Sequence, residues 1–243
     1  MIDLAALSVK IFADGADLAG IRAMAATPWV RGFTTNPTLM RKAGVRDYRE
    51  FALQVLEAVP DRPVSFEVFA DDLDEMERQA REIARWGVNV NVKIPVTNTR
   101  RESSAPVLRR LTQSGVKVNV TAVFTLEQVK DVIEALAEET PAIISVFAGR
   151  IADTGVDPVP LMREALKVMQ ARPRAELLWA SPREALNVVQ AHEAGCHIIT
   201  ATSDILAKLS LLGKDHERYS LETVEMFHRD ARAAGYTIPD AAA

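Results

Sequence analysis

Strand-like and helix-like segments alternate along nearly the whole 243-residue chain, and this alternation restricts its fold more than any other feature. Apolar residues with period two, or short apolar runs, predict strands, and the longer segments between them have the spacing of amphipathic helices. The predicted strands are Lys10–Asp14, Arg31–Asn36, Val64–Phe69, Val88–Val96, Lys117–Phe124, Ala142–Gly149, Ala175–Ser181 and His197–Thr202. A predicted helix follows each of them.

Eight β-then-α units in a chain of this length are typical of a (β/α)8 barrel, the TIM barrel. The alternative is a doubly wound open sheet, which usually carries a Gly-rich phosphate turn that this sequence lacks. Without a Pro-, Ser- or Gly-rich linker, the chain is predicted to form one α/β domain over residues 1–243. Pro182 is expected to open the helix after the seventh strand. An extra amphipathic helix is expected at about residues 220–234.

Composition and charge exclude several classes of function. A formal net charge of −4 argues against a nucleic-acid partner, and no apolar run is long enough to predict a membrane span. The N-terminus lacks a signal-peptide pattern, and Cys196 is the single cysteine, so we expect a cytoplasmic protein. The four histidines do not share a helix face with one another, so we expect no metal and no cofactor.

The fourth predicted strand carries a lysine in its middle. Apolar and polar residues alternate strictly there, with Val88, Val90, Val92 and Ile94 on one side and Asn89, Asn91 and Lys93 on the other. Burying an ammonium without a partner is costly. Lys93 is therefore either a lysine that reaches solvent from an edge strand or an amine that attacks carbonyl groups.

The parity of the other strands favours the second interpretation. In a barrel, alternate residues point inward and catalytic groups lie at the carboxyl ends of the strands. The predicted inward residues are mostly polar: Phe12, Asp14, Thr34, Asn36, Ser65, Glu67, Asn91, Lys93, Asn119, Thr121, Ser145, Phe147, Trp179 and Ser181. A structural barrel would fill these positions with Val, Ile and Leu, so we predict an active site at this end.

The residue types indicate a reaction. A lysine in a dry site forms a Schiff base with a ketone, and the iminium accepts electrons when the carbon–carbon bond beyond it breaks. That cleavage needs a base, a role for Asp14 or Glu67. Hydroxyl and amide side chains suit a polyol substrate, and Arg150 and Arg183 are candidates to bind a phosphate.

Four segments resemble the signature segments of transaldolases: Gly32-Phe33-Thr34-Thr35-Asn36-Pro37-Thr38, Val92-Lys93-Ile94-Pro95-Val96-Thr97, Asn119-Val120-Thr121 and Ser145-Val146-Phe147-Ala148-Gly149-Arg150-Ile151. The resemblance implies that Lys93 is the Schiff-base lysine and Asp14 the base that drives cleavage. It implies that Glu67 and Thr121 hold a proton-relaying water. Substrate hydroxyls would be bound by Asn36, Asn119 and Ser145, and substrate phosphate by Ser181, Arg183 and Arg150. Thr34 and Phe147 would complete the substrate site. Pro182, between Ser181 and Arg183, departs from the pattern of the larger members.

Within this family, members resembling fructose-6-phosphate aldolase carry glutamine and tyrosine where this chain has Glu67 and Phe147. The resemblance therefore implies a transaldolase, which moves a dihydroxyacetone unit from a ketose phosphate of the sedoheptulose 7-phosphate or fructose 6-phosphate type to an aldose phosphate. Such an enzyme serves carbohydrate metabolism, with the pentose phosphate pathway as one setting. The alternatives are an aldolase that releases free dihydroxyacetone and a barrel that binds sugar phosphates without turnover. We also expect a homo-oligomer, a decamer being one form, through the apolar stripe Leu221, Val224 and Phe227.

Overall fold

Eight parallel strands close into a barrel in chain order in the computed structural model, which describes residues 4–238. The strands are β1 (Lys10–Asp14), β2 (Val30–Thr34), β3 (Val64–Glu67), β4 (Val90–Pro95), β5 (Val118–Val123), β6 (Ala142–Val146), β7 (Ala175–Trp179) and β8 (Ile198–Thr202). β1 pairs with β2 on one side and with β8 on the other, which completes the ring. The predicted (β/α)8 barrel is confirmed, and the open-sheet alternative is excluded because each strand has two neighbours.

Helices connect the strands and form a layer outside the ring. They are α1 (Leu18–Ala25), α2 (Pro37–Lys42), α3 (Tyr48–Ala58), α4 (Leu73–Ala84), α5 (Ala105–Gln113), α6 (Leu126–Ala135), α7 (Ala148–Asp153), α8 (Val159–Met169), α9 (Leu186–Ala194), α10 (Ser203–Lys208) and α11 (His216–Ala233). Short 3-10 turns cover Leu4–Ala6 and Leu209–Leu211. Among residues 4–238, none of the helices is both long enough and apolar enough to cross a membrane.

Polar side chains fix the positions at which several helices begin. At the start of α4, the Asp72 carboxylate accepts hydrogen bonds from the backbone N–H groups of Asp74 and Glu75. At the start of α6, Thr125 and Gln128 form a reciprocal capping box. Each arrangement satisfies N–H groups that have no partner within the helix, so it stabilises the turn where the chain leaves a strand.

Two apolar clusters fill the protein, one on each side of the ring of strands. The outer cluster joins strand residues such as Phe66 to the helix layer. The inner cluster consists of Phe12, Ile143, Leu178, Ala180 and Ile198. Gly32 makes room for it, because a Cβ at that position would lie 2.5 Å from the ring of Phe12. Polar inward-facing residues follow this cluster towards the carboxyl ends of β1, β6 and β8.

The parity of β7 differs from the prediction. Trp179 was expected to face inward, but it is fully buried in the outer cluster, whereas Leu178 belongs to the inner one. The register explains this, since Ser145 pairs with Leu178 and Val146 pairs with Trp179. The prediction was wrong because it placed Trp179 and Ser181 in one inward series, whereas the positive φ of 60° at Ser181 interrupts the alternation after the strand.

Several predicted boundaries were also wrong. Val88 was placed on the apolar side of the fourth strand, but it is 91% exposed and β4 begins two residues later. Pro182 does not open a helix, since α9 begins four residues beyond it. The strand predicted over Ala142–Gly149 is shorter because α7 begins directly after it. The final helix starts at His216, earlier than residue 220, because Asp215 caps it there.

Candidate active site

A polar cleft of about 570 Å³ lies at the carboxyl ends of the strands. All twelve side chains predicted for the site line this cleft, although they come from six strands, the segments that follow the strands, and helix α7. They are Asp14, Thr34, Asn36, Glu67, Lys93, Asn119, Thr121, Ser145, Phe147, Arg150, Ser181 and Arg183. This is the end of a (β/α)8 barrel at which catalytic groups are found.

Lys93 lies near the end of β4 and points into the barrel, where it is 7% exposed. Its Nζ is 2.9 Å from Oε2 of Glu67 and donates a hydrogen bond of 2.7 Å to the backbone carbonyl of Thr35. The closed barrel has no edge strand, so the interpretation of a lysine that reaches solvent is excluded. The ammonium instead has a carboxylate within proton-transfer distance.

Asp14 ends β1 and accepts hydrogen bonds from the last residue of β2 and from the residue that caps α2. Thr34 donates to its Oδ1 at 2.8 Å, and the Asn36 amide donates to its Oδ2 at 3.3 Å. Burial raises the pKa of the Asp14 carboxyl above its ordinary value, a rise to which Glu67 adds; Lys93 and the two hydrogen bonds act against it. A carboxylate with a raised pKa is a stronger base than an ordinary aspartate, which suits it to proton transfer in a polar cleft.

Asn36 has a second role that fixes its orientation. Its Oδ1 accepts a hydrogen bond of 3.0 Å from the backbone N–H of Leu39 and thereby caps α2, with Pro37 at the first helical position. The amide nitrogen is consequently directed at Asp14. The local rule that starts a helix thus also orients a side chain of the cleft.

Three inward side chains, from β3, β5 and β6, form a buried chain of hydrogen bonds. The Ser145 hydroxyl donates to Oδ1 of Asn119 at 2.6 Å, and the Asn119 amide nitrogen donates to the Ser65 hydroxyl at 3.0 Å. Each of the three is at most 3% exposed. Their mutual bonds fix the direction of each donor and acceptor, as a site that recognises several hydroxyls requires.

Glu67 and Thr121 lie on β3 and β5, the two strands that pair with the strand of Lys93. Glu67 pairs with Lys93 across β3 and β4, and Thr121 pairs with Pro95 across β4 and β5. The backbone of Glu67 is held by Tyr48, whose hydroxyl donates to its carbonyl at 2.9 Å. Burial raises the pKa of the Tyr48 hydroxyl, so it remains a neutral donor.

The aromatic side chain of Phe147 lines one side of the cleft. The ring of Phe147 packs against the inner cluster and lies 5.6 Å from the ring of Phe124. The guanidinium carbon of Arg150 lies 5.0 Å from the centre of the Phe147 ring, within the range of a cation–π contact. Phe147 therefore brings an apolar face without a hydrogen-bond donor to the cleft.

Arg183 lines the cleft and is held by Asp153 at the end of α7. Its Nε lies 3.0 Å from each carboxylate oxygen, and its Nη2 also bonds Asp153. The Arg183 guanidinium, with a smaller contribution from Arg150, holds the pKa of Asp153 below its ordinary value. The fork of Arg183 is thus fixed by a partner outside the cleft, and Nη1 makes no part of that contact.

The approach of α7 to the loop after β7 depends on Gly149. A Cβ there would lie 1.6 Å from the carbonyl oxygen of Ser181, so any larger residue would push the two segments apart. This close contact brings the end of α7, with Asp153, to Arg183. Although Pro182 precedes it, Arg183 remains at the cleft.

Sequence comparison gives the family of the protein. Residues 11–242 match the family described as Transaldolase/Fructose-6-phosphate aldolase. The chain belongs to this family. Proteins named "Probable transaldolase" from Dehalococcoides mccartyi and Streptococcus agalactiae are 35% and 37% identical to it, over 83% of this chain and 90% and 89% of their own length. The "Probable transaldolase 2" of Listeria monocytogenes is 37% identical over 83% of this chain and 88% of its own.

Solved structures outside this transaldolase family share the fold alone. A 2,3-dimethylmalate lyase is 14% identical, with a TM-score of 0.54 over 98% of this chain and 87% of its own. The pyruvate carboxylase of Rhizobium etli is 11% identical, with a TM-score of 0.55 over 81% of this chain and 23% of its own. At such identities the likeness extends to the barrel and not to its site.

Several cleft residues of this family member escaped the sequence analysis. Thr200 and Thr202 of β8, Lys42 at the end of α2 and Ala122 all line the cleft. The alternation Ile198, Thr200, Thr202 would have identified the two threonines, because it has the same parity as the inward residues of β1. Lys42 could not have been found, since its position depends on the direction in which α2 leaves the barrel.

Proposed function

We propose that this protein is a transaldolase that transfers a dihydroxyacetone unit between sugar phosphates through a Schiff base on Lys93. The observation that carries the proposal is the buried Lys93 amine, 2.9 Å from the Glu67 carboxylate, in one cleft with Asp14. A barrel that only bound sugar phosphates would not need this costly arrangement, which argues against the binding-only alternative.

The first step is formation of the imine. Glu67 accepts a proton from the Lys93 ammonium, and the neutral amine attacks the ketone carbon C2 of the donor. Loss of the C2 oxygen as water then gives the iminium, with protons exchanged through Glu67. Thr121, on the neighbouring strand β5 and in the same cleft, holds with Glu67 the water that carries these protons, as the resemblance to transaldolases implies.

The second step breaks the carbon–carbon bond. Asp14 takes the proton of the C4 hydroxyl, the C3–C4 bond breaks, and its electron pair moves into the iminium to give an enamine and a free aldehyde. In transfer, the enamine carbon attacks an acceptor aldehyde and Asp14 returns the proton to the aldehyde oxygen. Hydrolysis of the new iminium releases the product ketose and restores Lys93.

The remaining side chains position the substrate. Asn36 and the hydrogen-bonded pair Asn119 and Ser145 are suited to the hydroxyls of the three-carbon unit. The guanidinium groups of Arg150 and Arg183, with the Ser181 hydroxyl, are suited to the phosphate of the donor or acceptor. Thr34 acts through its hydrogen bond to Asp14.

Phe147 favours transfer over release. The competing aldolase reaction requires protonation of the enamine, and a phenyl ring supplies no proton. The ring contacts Phe124 and Arg150, and it also reduces the access of water that would hydrolyse the waiting intermediate. An aldolase would need a proton donor at this position.

The test is to measure both fates of one donor, with and without glyceraldehyde 3-phosphate. We expect the wild type to transfer the unit much faster than it releases dihydroxyacetone, and Phe147→Tyr to raise release relative to transfer. Phe124→Tyr is the matched control, because it adds the same hydroxyl to the neighbouring ring, and it should leave the ratio unchanged. Release as fast as transfer in the wild type would favour the aldolase.

We also propose a cytoplasmic homo-oligomer, such as a decamer, built through α11. None of the residues of α11 is buried, and Leu221, Val224 and Phe227 are each about 60% exposed. An 18-residue helix with an uncovered apolar stripe is suited to a second copy of the chain. Light scattering should show a larger oligomer for the intact protein than for a chain that ends before Asp215. Equal oligomeric states would contradict the proposal.

A further inference from the structure

Two threonine hydroxyls stand in line with Asp14 on the inner side of the barrel. The Thr200 and Thr34 Oγ1 atoms are 2.6 Å apart, and Thr34 Oγ1 is 2.8 Å from Oδ1 of Asp14. Thr34 and Thr200 are 3% and 7% exposed. They come from β2 and β8, the two strands that pair with β1, and β8 reaches β1 only because the ring closes.

We propose that Thr200 is a positioning residue for Asp14: its hydroxyl donates to Thr34 and so directs the single hydroxyl proton of Thr34 at the Asp14 carboxylate. The catalytic consequence rests on the proposed function, in which Asp14 is the base. The orientation itself is a property of the folded protein and is independent of the reaction.

The direction of the hydrogen bonds that join Thr200, Thr34 and Asp14 follows from counting protons. A threonine hydroxyl has one proton to donate and two lone pairs with which to accept. If Thr34 donated to Thr200, its lone pairs would face the ionised Asp14 oxygen at 2.8 Å, which is repulsive. While Asp14 is ionised, the favourable order is therefore Thr200 to Thr34 to Asp14, and each bond polarises the next.

Other groups around Asp14 also act on its pKa, and these groups stay in place when Thr200 is changed. Burial, Glu67 and Lys93 act on its pKa as described above, together with the Asn36 amide. A neighbouring cavity of about 530 Å³ is lined by Asp14 and by three more charged residues, Asp17, Lys42 and Asp204. A change confined to the Thr200 hydroxyl therefore separates the effect of the two threonines on Asp14 from the effect of the surrounding charges.

The experiment compares Thr200→Val, which removes the hydroxyl at similar shape, with Thr200→Ser, which keeps it. Thr112→Val is the matched control, because it removes another buried hydroxyl, one that donates to the Leu108 carbonyl in α5. The Asp14 carboxyl is titrated by carbon-13 NMR of Asp-labelled protein, with its signal assigned by Asp14→Asn. The pH profile of kcat/KM is measured in parallel.

We expect the midpoint of the Asp14 titration to move to higher pH in Thr200→Val, because a weaker donor stabilises the carboxylate less. Thr200→Ser and Thr112→Val should titrate like the wild type. On the acidic side of the profile kcat/KM should fall about 2- to 10-fold in Thr200→Val, and the loss should shrink at higher pH.

An unchanged Asp14 midpoint in Thr200→Val, or an equal shift in Thr112→Val, would overturn the proposal. The two proposals fail in different ways. A wild type that turns over no ketose phosphate contradicts the transaldolase function, while the NMR titration still decides the role of Thr200.

Discussion

Lys93 and Lys10 each form an ion pair with a glutamate of the barrel, yet the two pairs occupy opposite ends and different environments. At the carboxyl end, the side chains of Lys93 and Glu67 are 9% and 17% exposed. At the amino end, those of Lys10 and Glu176 are 40% and 36% exposed. The residue types are the same, so burial and neighbours account for the difference between the pairs.

The exposed pair needs no functional explanation, because two half-solvated charges can pair at little cost and with little gain. The buried pair is different, since removing both charges from water costs several kcal/mol per ion before their attraction compensates. Lys93 also shares its cleft with Asp14, whereas the exposed pair lies at the end of the barrel away from that cleft. A buried pair in a polar cleft is therefore the stronger indication of function.

The largest difference in activity is expected between two single variants in which one or the other lysine is replaced by arginine. Lys93→Arg should lower kcat/KM by on the order of 10⁴-fold or more, because a guanidinium stays protonated and cannot attack a carbonyl. Lys10→Arg should leave activity unchanged, because it keeps the charge at the exposed pair. Steady-state kinetics on both variants measure the contrast.

Borohydride trapping locates the nucleophile directly. With a ketose phosphate present, reduction should add the mass of the donor, or of its three-carbon fragment, to the peptide containing Lys93. Lys93→Arg should remain unlabelled, and the wild-type peptide containing Lys10 should carry no added mass. Label on any other lysine would contradict the assignment.

Asp14→Asn tests the proton transfer beside the buried pair. We expect a loss of about 10²- to 10⁴-fold in the cleavage step, the usual contribution of a general base. In the wild type, kcat/KM should fall as pH decreases through the raised pKa of Asp14, since only the ionised form accepts a proton. A wild-type profile whose acidic limb persists in Asp14→Asn would assign that limb to another group.

Asp14→Asn should also raise the stability of the folded protein. Because the pKa of Asp14 is higher in the folded than in the unfolded protein, the folded state binds more protons between the two values. The stability contributed by this group therefore falls as pH rises through that window and is regained below it. Asp14→Asn should unfold at higher urea than the wild type at neutral pH, and this advantage should shrink in acid.

Arg183→Ala should have an intermediate effect that depends on the substrate. Loss of a charge-assisted contact should lower kcat/KM for phosphorylated donors by about 10- to 100-fold, with little change for free ketoses. Comparing fructose 6-phosphate with fructose measures the difference. Equal losses for both would show that Asp153 directs Arg183 away from the substrate.

The smallest effect is expected at the exposed pair itself. Lys10→Met should lower the free energy of unfolding by about 1 kcal/mol or less and leave kcat/KM unchanged, because the pair is solvent-screened. Urea unfolding followed by circular dichroism gives the first quantity and the standard assay the second. A large loss of activity would mean that the two ends of the barrel are coupled.

Strand parity could be predicted from the sequence wherever the alternation was unbroken. It placed Asp14, Glu67 and Lys93 at one mouth, and the structure brings their side chains to one cleft. It failed for Trp179, where the left-handed backbone of Ser181 shifts the phase beyond the strand. It also failed for Val88, because an apolar residue just before a strand need not be buried.

The sequence by itself determined the class of fold and the residue types of the cleft, because both depend on local periodicity and on the chemistry of single side chains. Tertiary structure decided which of those side chains meet. Ring closure brings Thr200 of β8 to Thr34 of β2, and the packing of α7 against the loop after β7 at Gly149 accompanies the contact of Asp153 with Arg183. Such contacts join residues far apart in the chain, so their geometry depends on register and helix approach, which no local pattern encodes.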